Sequence, residues 1–506
     1  MTLVSVYFLI FMAVVTLVYY LTPPKAQWIV LLLASLVFYG LCSKGFLIFL
    51  LLFAGIVYAF ARAFETGKKK LLVLLEVVLL VALLIVLKYA GWFGEGFVSF
   101  LSRLSFQKPL QYAAPLGISY VLLTGIGYSV DVYRDTIPTE KNFLKVLGFL
   151  SFFPAITQGP ISRYQELSGE LETGHHFSYE ALTSGIQRML WGFFKKLVVA
   201  GRLSTVMLEL TNSWQESHYT GAYVFLTVVV CSFNLYMDFS GCMDIVIGAA
   251  EILGVRLPEN FNHPYLAKTM PEFWRKWHIT LGAWLRDYVM FSFTMSAPAK
   301  KMNKSLRDKI GKKAAASFVS IIGVLLVWLV FGLWHGIAAT FLLAAAWYAL
   351  TIIGGIVIEG PAKNFRAKHP ALVSSKGFQV FRVVRTFVLS IQGAYLMLMP
   401  QAKKGLAYLA TIFTKPTAQF VVRITEGEEA GTFLLGLDPY DFIILILSFA
   451  LWIVVATLHK KQDVRIRLSK MHIVLRWVIL LALVLAVVLF GFYGNLDAGS
   501  FIYQGF

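Results

Sequence analysis

The chain has 506 residues, 58% of them hydrophobic and only 14% charged, with a formal charge of +18. A soluble protein of this length needs about a quarter of its residues charged to wet its surface, so this composition, with a mean hydropathy of +0.72, excludes water as the main solvent. The positive charge would suggest nucleic acid in a soluble protein, but here lysines and arginines gather in short loops between apolar runs, which is the positive-inside pattern, and no nucleic-acid partner is expected.

Apolar runs about 17 to 25 residues long, enough for a helix to cross roughly 30 Å of hydrocarbon, recur from end to end. Clear examples are Val4 to Leu21, Gly45 to Ala61, Leu71 to Ala90, Val319 to Trp334, Phe341 to Ile358, Phe442 to Leu458 and Ile473 to Phe492. The first lacks a basic n-region and is followed by Thr22-Pro23-Pro24 rather than a small-residue cleavage site, so it reads as a helix of the mature protein. The pattern predicts an all-α, polytopic membrane protein forming one domain over residues 1–506, with a tail from Asn495 to Phe506.

The basic loops Arg62 to Lys70 and Lys460 to Lys470 are expected in the cytoplasm. Counting crossings from each places both termini outside, together with the acidic loop Glu426 to Asp441, and the bilayer so crossed is the cell's cytoplasmic membrane. The stretch from Ile161 to Leu285 is too polar for simple alternating crossings and predicts re-entrant or interfacial helices; Gln401 to Glu426 also suits the interface. Between the basic stretches Ala297 to Lys313 and Lys363 to His369 lies an apolar run suited to a two-helix hairpin, with its turn near Gly332 to Gly336. Cys42, Cys231 and Cys242 have no paired spacing and read as small buried apolar residues, with neither a disulfide nor a metal site.

Ionisable groups within apolar sequence are costly and therefore candidates for function. His335 interrupts the predicted hairpin beside glycines that permit close backbone approach, as an acid/base side chain facing a cavity reachable from both aqueous sides would require. A structural hydrogen bond explains such a histidine equally well. Pro271 to Tyr288 carries five charges and, read as one helix, places Trp274, His278, Leu281 and Leu285 on one face and Arg275, Ile279, Gly282 and Arg286 on another. It suits either a cavity lining or an amphipathic surface anchor. Asp238 and Asp244 lie six residues apart in apolar surroundings, so a helix turns them away from each other and each is expected to pair with an arginine or cap a helix end.

Taken together, Pro115-Leu-Gly-Ile-Ser-Tyr120, Phe153-Pro154 with Gln158-Gly-Pro-Ile161, Met237-Asp-Phe-Ser-Gly241, Asn260-Phe-Asn-His-Pro-Tyr265, Phe273-Trp-Arg-Lys-Trp-His-Ile279 and Leu333-Trp-His-Gly336 resemble the membrane-bound O-acyltransferase (MBOAT) superfamily. The likeness is to its bacterial branch of alginate and peptidoglycan O-acetyltransferase membrane subunits, related to the teichoic acid D-alanyl transfer protein. The resemblance implies a ring of helices around a thin central region, with a tunnel joining a cytoplasmic donor entrance to an outer acceptor funnel. It implies His335 as the essential histidine, His278 as the second, and Gln158, Asp238, Ser240, Trp274, Arg275, Trp277 and Trp334 as candidates for lining the donor or acceptor path. The ending Phe501-Ile-Tyr-Gln-Gly-Phe506 is similar to the branch's aromatic tail motif, with Gln504-Gly505 departing from it, and implies Tyr503 as an acyl relay.

On this resemblance the chain is expected to be an acyltransferase with no bound cofactor. It would take an acetyl group from acetyl-CoA or an acylated carrier protein and deliver it to a separate extracellular or periplasmic O-acyltransferase that acts on polysaccharide. D-alanyl transfer to teichoic acid is the nearest alternative; a transporter or channel without covalent chemistry is the rival from another class.

Overall fold

The computed structural model describes residues 2–67, 69–104, 114–212, 220–415 and 436–493. Those residues are overwhelmingly helical, and an isolated antiparallel bridge joins Phe261 and Trp277. The reason is the solvent: hydrocarbon offers backbone groups no partners, so a spanning segment must satisfy its own hydrogen bonds within a helix.

Eight helices among the described residues are long and apolar enough to cross a bilayer. They include Lys69–Lys88, Lys312–His335, Ala339–Lys368, Pro439–His459 and Ile473–Phe490, each covering a run predicted from hydropathy. In Pro439–His459 and Ile473–Phe490 only 6% of the apolar window is buried within the protein, so these helices turn nearly all their aliphatic side chains outward, as lipid contact requires. The predicted hairpin also forms, reversing between His335 and Ala339. At its turn a Cβ on Gly336 would stand 2.6 Å from the Phe341 ring, so only glycine lets the chain turn this tightly.

Two expectations need correction. The stretch from Ile161 to Leu285 is not built only of short interfacial pieces, because Gly221–Ile252 is one unbroken helix of 32 residues. It reads as too polar because 67% of its window is packed inside protein, where Asn234, Asp238 and Ser240 meet polar partners instead of lipid. Nor is Pro271 to Tyr288 one helix. Met270–Trp274 ends, the backbone reverses its handedness at His278, and a new helix runs from Ile279 to Trp284 before a π-helical turn at Leu285–Met290.

The chain forms two compact units, residues 1–192 with 242–259 and residues 193–241 with 260–506. In the first, Phe8, Phe11, Phe38 and Phe153 form an aromatic core, and Arg188 binds both Asp244 and Glu259. Glu76 is fully buried and accepts a hydrogen bond from Ser129 at 2.5 Å. Gly117 has φ of +68°, and a Cβ there would lie 1.9 Å from the Ile156 carbonyl oxygen, which fixes the approach of the Pro115 to Tyr120 segment to residues 156–157. Next to it Gln158 is buried, and its Nε2 finds no acceptor among the described residues.

The second unit holds the hairpin, both predicted histidines and a π-helical turn at Phe194–Ala200 that carries Lys195 and Lys196. Cys231 and Cys242 are buried and Cys42 is partly buried, as expected of small apolar residues.

Candidate functional site

Helix spacing builds one side of the site. Phe331, Trp334 and His335 stand three and four positions apart on the last turn of Lys312–His335, so their rings are neighbours. The His335 imidazole lies 4.5 Å from the Phe331 ring, 4.8 Å from Trp334 and 6.1 Å from Phe341 beyond the turn.

A broken helix builds the other side. His278 occupies the N-cap position of Ile279–Trp284 with φ 46° and ψ 54°, and its side chain makes no capping bond. A left-handed backbone costs a residue bearing a Cβ about 1–2 kcal/mol. Both imidazole nitrogens of His278 are buried and find no hydrogen-bond partner among the described residues, where each unmet group costs about 1–3 kcal/mol. Strain and unmet polarity concentrated on one buried side chain are a mark of function. The His278 ring packs 4.8 Å from Phe239 and 6.4 Å from Trp334. Trp334 is thus the ring that both imidazoles share.

Three consecutive residues of Gly221–Ile252 serve this neighbourhood. Asp238 pairs with Lys196, Phe239 packs on His278, and Ser240 accepts a hydrogen bond from Lys195 Nζ at 3.0 Å. Asp238 and Asp244 each have a basic partner, as expected, although for Asp238 it is a lysine. The two lysines were not singled out in the sequence. The signal was available, since Phe193-Phe-Lys-Lys-Leu-Val-Val-Ala200 sets two charges in an apolar run.

Trp274 packs within 4.6–4.7 Å of Trp328 and Tyr348, and Trp277 lies 5.2 Å from Phe261. Between them is a cavity with room for roughly one water molecule, lined by Ser232, Trp274, Trp277, Phe331, Tyr348 and Ser390 among others. Arg275 is exposed. Beside it Glu272 has its carboxyl held below the ordinary range: burial would raise it, but hydrogen bonds from Lys276 Nζ and the Lys268 N–H, with the charges of Lys276 and Arg275, outweigh that. Gln158 belongs to the other compact unit, and Tyr503 lies outside the described residues.

One expectation is not met. His335 and His278 are each 1% exposed, so among the described residues both rings are enclosed by protein and His335 does not face an open cavity. The rings packed against both are aromatic: Phe239 and Trp334 for His278, and Phe331, Trp334 and Phe341 for His335.

The sequence pattern of MBOAT, the membrane-bound O-acyltransferase family, matches residues 132–307, a stretch that includes Asp238, Ser240 and His278. A probable alginate O-acetylase of Pseudomonas aeruginosa is 30% identical over 359 residues, 68% of this chain and 64% of that protein. Over that stretch the chain is similar to the membrane-bound O-acyltransferase family. The chain is also similar to a peptidoglycan O-acetyltransferase of Helicobacter pylori, 24% identical across 83% of this chain and 82% of that protein, and to a teichoic acid D-alanyltransferase of Bacillus subtilis, 27% identical across 56% and 68%. The match to the Pseudomonas relative thus spans just under two thirds of that protein's length. His335 lies beyond the family match, and its place in the site rests on its packing with Trp334.

Proposed function

We propose that this chain takes an acyl group, acetyl in the first instance, from a cytoplasmic thioester and passes it across the cell membrane for O-acylation of an extracellular polysaccharide. The observation that carries this reading is the pair of buried imidazoles, His278 and His335, sharing the ring of Trp334. Basic loops at Arg62 to Lys70 and Lys460 to Lys470 face the cytoplasm in this scheme and draw in the phosphates of acetyl-CoA or of an acylated carrier protein. Both termini then lie outside.

In the transfer, a ring nitrogen of His335 takes the proton from the attacking hydroxyl as its oxygen bonds to the thioester carbonyl carbon. The tetrahedral adduct expels the thiolate, which takes up the proton from the imidazolium, so that an ester and a free thiol are formed. A neutral imidazole can accept the proton that a phenol, with an ordinary pKa near 10, does not release unaided at neutral pH. Tyr503 supplies the hydroxyl for the first transfer, and a separate extracellular O-acyltransferase receives the group from it. Because both imidazoles are enclosed, donor binding must part the surrounding rings.

The test is mass spectrometry of the C-terminal peptide and of the cell's polysaccharides, with and without His335→Ala. Loss of a general base should lower acylation by about 100-fold or more. Unchanged acylation in a well-expressed His335→Ala strain would overturn the reading. The mass of the adduct separates acetyl from D-alanyl transfer, and passage of intact donor through vesicles with no adduct on the chain would instead mark a transporter.

A further inference from the structure

The helix Ile279–Trp284 starts without a capping bond from the side chain of its own N-cap residue, His278. The first N–H groups of any helix lack partners within it. Here Asn260 supplies them from 20 positions upstream. Its backbone oxygen accepts from the Ile279 N–H at 3.1 Å, and its side-chain Oδ1 accepts from the Thr280 N–H at 3.0 Å and from the Thr280 hydroxyl at 2.7 Å. On the near side of His278, the Asn262 N–H donates to the Lys276 carbonyl at 3.0 Å. Residues 260–262 are therefore a strap that grips the chain both before and after His278, and Asn260 at its start is fully buried.

The consequence falls on the imidazole. A histidine in the N-cap position with ordinary extended backbone can turn its ring to the helix's own N–H groups, as His472 does toward Val474 elsewhere in this chain. With Asn260 filling that role, and with φ held at 46°, the His278 ring instead lies against Phe239 and Trp334 with both nitrogens left to whatever enters beside them.

We propose that Asn260 is a positioning residue for acyl transfer, whose side-chain oxygen takes over the capping of Ile279–Trp284 and so holds the His278 ring toward Trp334 and the reacting groups. This rests on the reading, given under Proposed function, that His278 and His335 are the paired imidazoles of the transfer site. The residue acts through His278 and touches no substrate. What its loss removes is the angle at which the imidazole is presented, and an error of about 1 Å in such a group can cost on the order of 100-fold in rate.

The experiment compares Asn260→Ala, Asn260→Asp and His278→Gln in the full chain, in intact cells. It reads the initial rate of acyl-ester incorporation into polysaccharide per molecule of chain, together with thermal unfolding of the detergent-purified protein. Asn260→Ala should lower the rate by about tenfold or more. Asn260→Asp, which keeps an oxygen at the same place and is as good a helix cap, should recover most of it at equal stability. A general loss of fold would not be repaired in this selective way. A full rate in Asn260→Ala, or no recovery in an equally stable Asn260→Asp, would overturn the proposal. Should Asn260→Ala not accumulate, Thr280→Val removes the hydroxyl donor and keeps the backbone bond; a lowered rate at unchanged stability supports the strap and an unchanged rate overturns it. His278→Gln separates the two levels of argument: a full rate there defeats the reading of the site, whereas its loss beside an intact Asn260→Ala defeats only the strap.

Discussion

Arg202 and Asp441 are 239 positions apart in sequence and bonded in space, with Nε and Nη2 of the guanidinium both donating to Oδ1, at 3.0 and 2.6 Å. The other guanidinium nitrogen, Nη1, donates to the carbonyls of Val198 at 3.0 Å and Phe490 at 2.6 Å, and the Phe492 ring lies 5.0 Å from the guanidinium carbon. One buried cation thus joins the start of Pro439–His459, the end of Ile473–Phe490 and the π-helical turn that carries Lys195 and Lys196.

Removing one partner of a buried pair leaves a charge without compensation and costs about 3–5 kcal/mol. The Arg202 side chain is 3% exposed and that of Asp441 24%, so the penalty should fall unequally. Arg202→Met takes away every bond to Asp441 and to the two carbonyls and should lower the melting temperature in detergent markedly. Asp441→Asn keeps an acceptor for the guanidinium and should lower it less. Equal melting of Arg202→Met and the wild-type protein would show that the pair contributes nothing.

The spanning helices were legible because lipid leaves little choice: Lys69–Lys88 and Ile473–Phe490 are continuous apolar runs, and Gly336 marked where the hairpin had to turn. Gly221–Ile252 was hidden by the same rule, since residues such as Asp238 that are satisfied by Lys196 look, in sequence alone, like groups that lipid would reject. His335 and His278 stood out as ionisable groups in apolar surroundings, and family likeness joined them. Periodicity could not reveal the break between Met270–Trp274 and Ile279–Trp284, because the oxygens that meet the start of the second helix belong to Asn260, a residue outside that segment. The same limit applies to Arg202, whose partners come from two distant helices.

The left-handed backbone at His278 can be tested apart from its chemistry. Both His278→Ala and His278→Gly delete the imidazole, so each should lose acyl transfer to the same extent. They should differ in stability, because glycine adopts φ near 46° without the steric penalty of about 1–2 kcal/mol that a Cβ brings. In an ordinary right-handed helix the order would be reversed, with alanine favoured by about 1 kcal/mol. Detergent unfolding of the two variants decides the point: a more stable His278→Gly confirms the strained backbone, and a more stable His278→Ala rejects it.

His263 offers a pH dependence of known sign. Burial lowers its pKa below the ordinary value, opposed by the bond from its ring to the Ala456 carbonyl at 3.1 Å and reinforced by the nearby charges of His459, Lys460 and Lys276. The folded protein therefore holds this proton less firmly than the unfolded chain does. Stability rises with pH wherever the unfolded state binds more protons, so the contribution of His263 is fully present above about pH 6.5, the unfolded value, and is lost as pH falls from there toward the folded pKa. Replacing it with glutamine keeps a donor for the Ala456 carbonyl but removes the titration. Unfolding measured between about pH 5 and pH 8 should show the wild-type protein losing stability on the acid side while His263→Gln loses less over the same interval. Parallel profiles would show that the slope does not come from His263.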